Sequence, residues 1–123
     1  CSLLYPTGKK QEKIDLRYKK YYDEADVIAG DYLFIKRHMP PEIPGKIILT
    51  NTVTADDVAM LSERGASMLI TTTPELGGRS FGTNVMEGVL VSLSKKPYKS
   101  LTPTDYDELL DKIGFTPRIE KLN

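Results

Sequence analysis

"KIILTNTVTADDVAMLSERGASMLITT", residues 46–72, decides the fold of this chain. It opens and closes on short apolar runs, "KIILTN" and "SMLITT". Each is bounded by polar residues and too short for a helix, so both predict buried strands. Between them lies a helix with clear start and stop signals. Thr54 fits the N-cap, Asp57 falls at the third helical position, and Gly65 after Arg64 is a C-terminal stop. Val53 and Val58 occupy the two positions of a hydrophobic staple. Asp56 and Asp57 resemble a catalytic carboxylate pair, but acids in a first turn complement the helix dipole, so capping is their expected role. Strand, helix and strand at this spacing predict two parallel strands joined by a crossover helix.

The same pattern extends in both directions. "DVIAGD", ended by Gly30 and Asp31, predicts another buried strand, so residues 27–30, 46–50 and 67–72 are expected to run parallel in one sheet. "YLFIKRHM" reads either as a short helix or as an extended turn, closed off by Pro40, Pro41 and Pro44. Upstream, residues 1–8 read as a linker or domain junction and residues 9–25 as a helix. Ile14, Tyr18, Tyr21, Tyr22 and Ala25 recur on one face of that helix. Downstream, "TNVMEGVLVSLSKK" predicts a helix buried through Val85, Met86, Val89, Leu90 and Leu93. In "LTPTDYDELLDKIG", Thr102 caps a last helix, Pro103 takes its first turn and Leu101 can staple onto Tyr106. Leu109, Leu110 and Ile113 supply its inner face, Gly114 stops it, and Phe115 and Ile119 are expected to dock the tail.

The expected fold is therefore α/β, a Rossmann-like parallel sheet of at least three strands with flanking helices, forming part of a larger doubly wound domain. Residues 26–100 make the alternating core, and 101–123 the C-terminal helix and tail.

Composition narrows the functional classes. Seventeen basic residues balance seventeen acidic ones, which argues against a nucleic-acid partner, since that role needs clustered positive charge. No apolar run approaches the roughly 20 residues of a membrane span. One cysteine, Cys1, cannot close an internal disulfide, and with a single histidine it cannot build a zinc site. The chain starts at Cys1 rather than methionine and shows no signal-peptide pattern, so a cytoplasmic fragment of a longer polypeptide is expected. His38, in "KRHMPP", reads as a surface-turn histidine before an acid–base catalyst. The lysines at 9, 10, 13, 19 and 20 are interleaved with acids, as on a solvated helix face.

The strongest candidate site is "TTTPELGGRSFGTNVMEG", residues 71–88. In open α/β sheets, ligands bind beyond the carboxyl ends of strands, where helix amino ends point. Thr71, Thr72 and Thr73 end a strand and Thr83 or Asn84 opens a helix, so the loop lies at that edge. Gly77, Gly78 and Gly82 allow close backbone approach, the helix dipole adds positive potential, and Arg79 offers a bidentate grip on phosphate or carboxylate. The alternative is a glycine-rich turn in which Ser80 or Thr83 caps the helix and Arg79 bonds a backbone carbonyl. The loop has neither the lysine and spacing of a P-loop nor the dinucleotide fingerprint.

The segments "LLYPTGKKQEKI", "ADVIAGDYLFIKRHMP", "GKIILTNT", "LITTTPELGGRSFGTNVMEG" and "PRIEKLN" resemble the C-terminal part of a bacterial family, found mainly in Firmicutes, labelled quinate 5-dehydrogenase or quinate/shikimate dehydrogenase-like. The resemblance covers essentially the whole chain; longer members carry a further N-terminal region. It implies a quinate/shikimate-type oxidoreductase domain, inactive alone, with NAD or NADP as cofactor. In shikimate dehydrogenases an N-A-T-P-x-G-M segment lies beside the nicotinamide. Thr72, Thr73 and Pro74 align with its A-T-P, while Thr71 replaces the asparagine. Asn51 matches the start of the N-R-T stretch that holds the NADP phosphate, but Thr52 stands in place of the arginine. The implied cofactor wall is Thr71 to Pro74, Gly77 to Ser80 and Gly82 to Asn84, with no catalytic residue in this chain. Expected partners are a small anionic molecule or nucleotide, the N-terminal region of the same polypeptide, and a second copy of the chain. The competing class is a non-catalytic domain for small-anion binding or assembly.

Overall fold

The computed structural model describes residues 15–77, 79–80 and 82–123, with the side chains of Arg79 and Thr83 left out. The expected junction at 1–8 and the first part of the 9–25 helix lie outside the described residues. The chain enters through a 3-10 turn, Leu16–Tyr18, capped by the Asp15 carboxylate, and continues as α1, Lys19–Glu24. Then follow β1 (Val27–Ala29), α2 (Tyr32–His38), β2 (Ile47–Thr50), α3 (Ala55–Glu63) and β3 (Met68–Thr71). A short hairpin of β4 (Glu75–Leu76) and β5 (Arg79–Ser80) precedes α4 (Thr83–Ser94), α5 (Pro103–Lys112) and β6 (Arg118–Lys121).

The main sheet has the order β1-β2-β3-β6. Its first three strands are parallel, as expected, with Ile28, Ile48 and Leu69 side by side. The fourth strand was not expected. β6 runs antiparallel to β3, pairing Met68 with Lys121 and Thr71 with Arg118. "RIEK" carries three charges in four residues, a composition that suits a sheet edge rather than a core strand. The tail is therefore held by backbone pairing, by Leu122 against the core, and by Asn123, whose side-chain amide donates to the carbonyls of Ser62 and Ala66. Ile119 does not dock it: that side chain is 69% exposed.

One face of the sheet carries the core. Ile28, Ile48 and Leu69 pack with Tyr32 and Ile35 of α2, Leu61 of α3, and Met39, Ile43, Val53 and Ala66 from the connections. Each such aliphatic side chain contributes about 1.5–3 kcal/mol when fully buried. "YLFIKRHM" resolves as a helix because Asp31 accepts from Leu33 N and starts it. α3 begins as expected, with a reciprocal capping box between Thr54 and Asp57. Asp57 is further held by the Lys36 ammonium at 2.9 Å, so this acid serves the helix end, while Asp56 is exposed in the first turn.

Two helical faces differ from expectation. Among the described residues of the first face, Tyr18 and Tyr21 are exposed and Tyr22 and Ala25 reach the core, because a 3-10 turn followed by a short α1 does not keep the apolar stripe in phase; Ile14 lies outside the described residues. In α4, Met86 and Leu90 are buried, whereas Val85, Val89 and Leu93 are exposed. Among the described elements, α4 packs mainly against α5, and its buried residues form a single i, i+4 row.

Candidate functional site

The described part of the glycine loop folds as a hairpin. Glu75 pairs with Ser80 and Leu76 with Arg79, and Gly77 adopts φ 62°, the left-handed conformation that a tight hairpin connection requires. Gly78 and the side chains of Arg79 and Thr83 lie outside the described residues.

Hydroxyl groups hold this hairpin to the sheet. Thr71 Oγ1 donates to the carbonyl of Thr73 at 2.6 Å and lies 3.0 Å from Ser80 Oγ. Thr73 Oγ1 donates to the carbonyl of Asn51, and Ser80 N donates to that of Val53. Thr71, Thr73 and Ser80 are all buried, so their polar groups serve the protein interior. Pro74 is half-buried at the entry to the hairpin, and Asn84 is exposed in the first turn of α4.

Neither Ser80 nor Thr83 caps α4. The N-cap is Gly82, without a side-chain cap bond, and its carbonyl accepts from Val85 N and Met86 N. A Cβ at Gly82 would stand 3.3 Å from Thr52 Oγ1, so glycine permits a close approach of this turn to the end of β2.

At the same edge, Asn51 joins β2 to α2. Its Nδ2 donates to the Asp31 carboxylate at 2.9 Å, while its Oδ1 accepts from Thr52 N. The residue matching the NADP stretch is thus engaged internally, bonded to the Asp31 carboxylate that follows Gly30 at the β1–α2 junction. Among the described strands, β1, β2 and β3 follow one another in the sheet without reversal.

A different concavity lies at the carboxyl end of β3. Thr72, Thr73, Met86, Glu87, Leu90, Tyr106, Leu110 and Phe115 line a cleft of about 340 Å³ between the strand end and the α4–α5 pair. Met86 and Leu90 form its apolar floor. Glu87 and the Tyr106 hydroxyl are its strongest polar groups. Desolvation, then the Glu87 carboxylate and Tyr98, raise the Tyr106 phenol above its ordinary value, so it remains a neutral hydrogen-bond donor at physiological pH.

Of the expected site residues, Thr72 and Thr73 line this cleft. Met86 and Leu90 were foreseen as core, and Tyr106 as a staple, while Glu87 carried no sequence signal. The repeated apolar spacing of two consecutive helices was the clue to a shared pocket. Their spacing alone did not show that they stand apart from the sheet's core.

Two other hollows are weaker candidates. One, of about 280 Å³, is bordered by Lys95, Lys96, Asp105 and Lys112, and its Lys96 and Asp105 are already paired at 2.8 Å. The other lies at Pro40, Pro41 and Pro44, where Lys19 and Asp23 pair with each other. His38 sits at the far end of α2 from the carboxyl edge, its Nδ1 3.2 Å from the Asp15 carbonyl and its ring edge-on to Tyr18. Among the described residues, no cluster of three or more metal-ligating side chains occurs, and no helix is long and apolar enough to cross a membrane.

A family model matches residues 1–122 and is described as a domain of unknown function, DUF8754. The chain belongs to the DUF8754 family. Neither the curated proteins nor the solved structures give a match. Membership in the family covers the cleft and the sheet alike, and leaves the activity to be read from the geometry.

Proposed function

We propose that this DUF8754 domain is a non-catalytic binding domain that takes a small, largely apolar molecule in the cleft between β3 and the α4–α5 pair. One observation carries the reading. A concavity of ligand-sized volume, apolar at its floor, has a carboxylate and a neutral phenol at the carboxyl edge of a parallel sheet. Glu87 favours a neutral or cationic ligand with a hydrogen-bond donor, and disfavours an anion.

The quinate/shikimate-type oxidoreductase is a second reading, and it draws on the same edge. Thr72 and Thr73, which match the segment beside the nicotinamide in shikimate dehydrogenases, are the expected residues that border the cleft. A flat, mainly apolar ring would suit that floor, with the substrate supplied by another part of the protein.

Thermal-shift titrations separate the two. The panel would hold neutral and cationic aromatic alcohols and amines in one arm, and NAD, NADP, quinate and shikimate in the other. The first reading predicts saturable stabilisation in the first arm, weakened roughly tenfold by Glu87→Gln, equal to about 1.4 kcal/mol. Stabilisation by NAD or NADP alone would favour the oxidoreductase. No shift from any compound would overturn both.

A further inference from the structure

Among the described residues, the second face of the main sheet is apolar and partly exposed. Two cross-strand rows lie on it: Val27, Ile47, Met68 and Lys121, then Ala29, Leu49, Ile70 and Ile119. Val27 is 50% exposed, Leu49 36% and Ile119 69%, while Ile47, Met68 and Ile70 are only half-buried. Parallel strands joined by crossover helices are ordinarily covered on both faces. Here α2 and α3 both contribute to the core on the opposite face.

We propose that this face is a homodimer interface, covered by the same face of a second copy. Its charges support that occupant. The only charged member of the two rows is Lys121, at one corner of the sheet; just beyond the carboxyl end of β1, at the diagonally opposite corner, lies Asp31, whose carboxylate accepts from Leu33 N and Asn51 Nδ2 and keeps lone pairs for a further donor. A twofold axis between the two sheets, perpendicular to that diagonal, brings Lys121 of each copy over Asp31 of the partner subunit. The two ion pairs then flank an uncharged aliphatic centre. With four strands and a diagonal near 45°, the strands of the two sheets cross at roughly a right angle, one of the two common sheet packings. The chain's net charge of zero adds no long-range repulsion between copies. Such an interface is isologous and closes at two subunits.

Sedimentation equilibrium of the full chain, from low micromolar to millimolar concentration, tests this. The expected species has twice the 13.8 kDa chain mass. Ile119→Glu lies on an exposed edge-strand position and should leave the monomer folded by circular dichroism, while raising the dimer dissociation constant roughly 30-fold or more. Leu49→Glu should do the same from the centre of the face, and Lys121→Glu should weaken association while Lys121→Arg retains it. A chain that remains monomeric throughout overturns the proposal. A dimer indifferent to both Ile119→Glu and Leu49→Glu also overturns it, placing the interface elsewhere. A constant unmoved by Lys121→Glu overturns the diagonal arrangement.

Discussion

The βαβαβ portion and the α4–α5 pair are built from similar helices but stabilised differently. In the first, Ile48, Leu61 and Leu69 are completely excluded from solvent, and each connection returns to the same core. In the second, α4 buries Met86 and Leu90, and α5 buries no residue fully. Yet α5 has the same reciprocal capping box as α3, with Thr102 and Asp105 in the roles of Thr54 and Asp57. Capping sets where a helix begins, whereas burial sets how much free energy holds it. Segments with few buried apolar contacts occupy the low-stability end of a protein, where binding surfaces are commonly found. That contrast is what places the cleft beside the weaker half.

The largest expected effect probes the core half. Leu61→Ala should lower unfolding free energy by about 2–5 kcal/mol, seen as a reduced urea midpoint of the global transition. A loss below about 1 kcal/mol would mean that the cavity collapses freely and the two halves are not so different. The paired caps sharpen the comparison. Thr54→Ala and Thr102→Ala should each cost about 1 kcal/mol locally. In native-state hydrogen exchange, the first should weaken protection across β1, β2 and β3, and the second only in α4 and α5. Global loss from Thr102→Ala would show that the α4–α5 pair unfolds with the core.

Tyr32 tests the core from the other direction. Its side chain is 2% exposed and its hydroxyl has no hydrogen-bond partner among the described residues. Burial first, then Asp57, raise the phenol well above its ordinary value, so it is buried neutral. Tyr32→Phe should therefore raise stability by up to about 1 kcal/mol, the order of cost for an unsatisfied buried polar atom. Destabilisation would reveal a partner for that oxygen.

The smallest effect concerns pH. The Lys96 ammonium, then the Thr102 amide and hydroxyl, lower the Asp105 carboxyl to about 2. A carboxyl whose folded value is depressed stabilises the fold above its unfolded value, about 3.9, and that contribution is lost as pH falls towards the folded value. Wild type should thus lose part of the α4–α5 protection between pH 4 and pH 2, in about that window, and Asp105→Asn should flatten this dependence. The pair is solvent-facing, so high salt should shrink the effect. An unchanged profile in the variant would assign the acid sensitivity to another carboxylate.

What the sequence made legible follows the same division. Residues 46–72 combine two apolar runs with a capped helix, and local and long-range preferences agree there, so the parallel strands and α3 stand where they were expected. β6 was hidden because its charged residues alternate with a single isoleucine and its pairing partner lies nearly fifty residues away. The hairpin at 75–80 was hidden because Gly77 fits a ligand cradle and a tight turn equally well. Thr71, Thr73 and Ser80 read as part of a cofactor wall, and their hydroxyls are buried against the chain itself. The apolar repeat of α4 could not reveal that only Met86 and Leu90 would find a neighbour. Glu87 acquires its meaning from Tyr106, a residue on the next helix.

Methyl NMR on the full chain tests the central claim, that the ligand site is the cleft beside the α4–α5 pair, most directly. The probe would be the tightest-binding aromatic amine or alcohol found in the thermal-shift panel. The expected result is saturable shifts at the methyls of Met86, Leu90 and Leu110, with those of Ile28, Ile48 and Leu61 unmoved. Shifts confined to the main core or to the hairpin, with Met86, Leu90 and Leu110 unaffected at saturation, would contradict it.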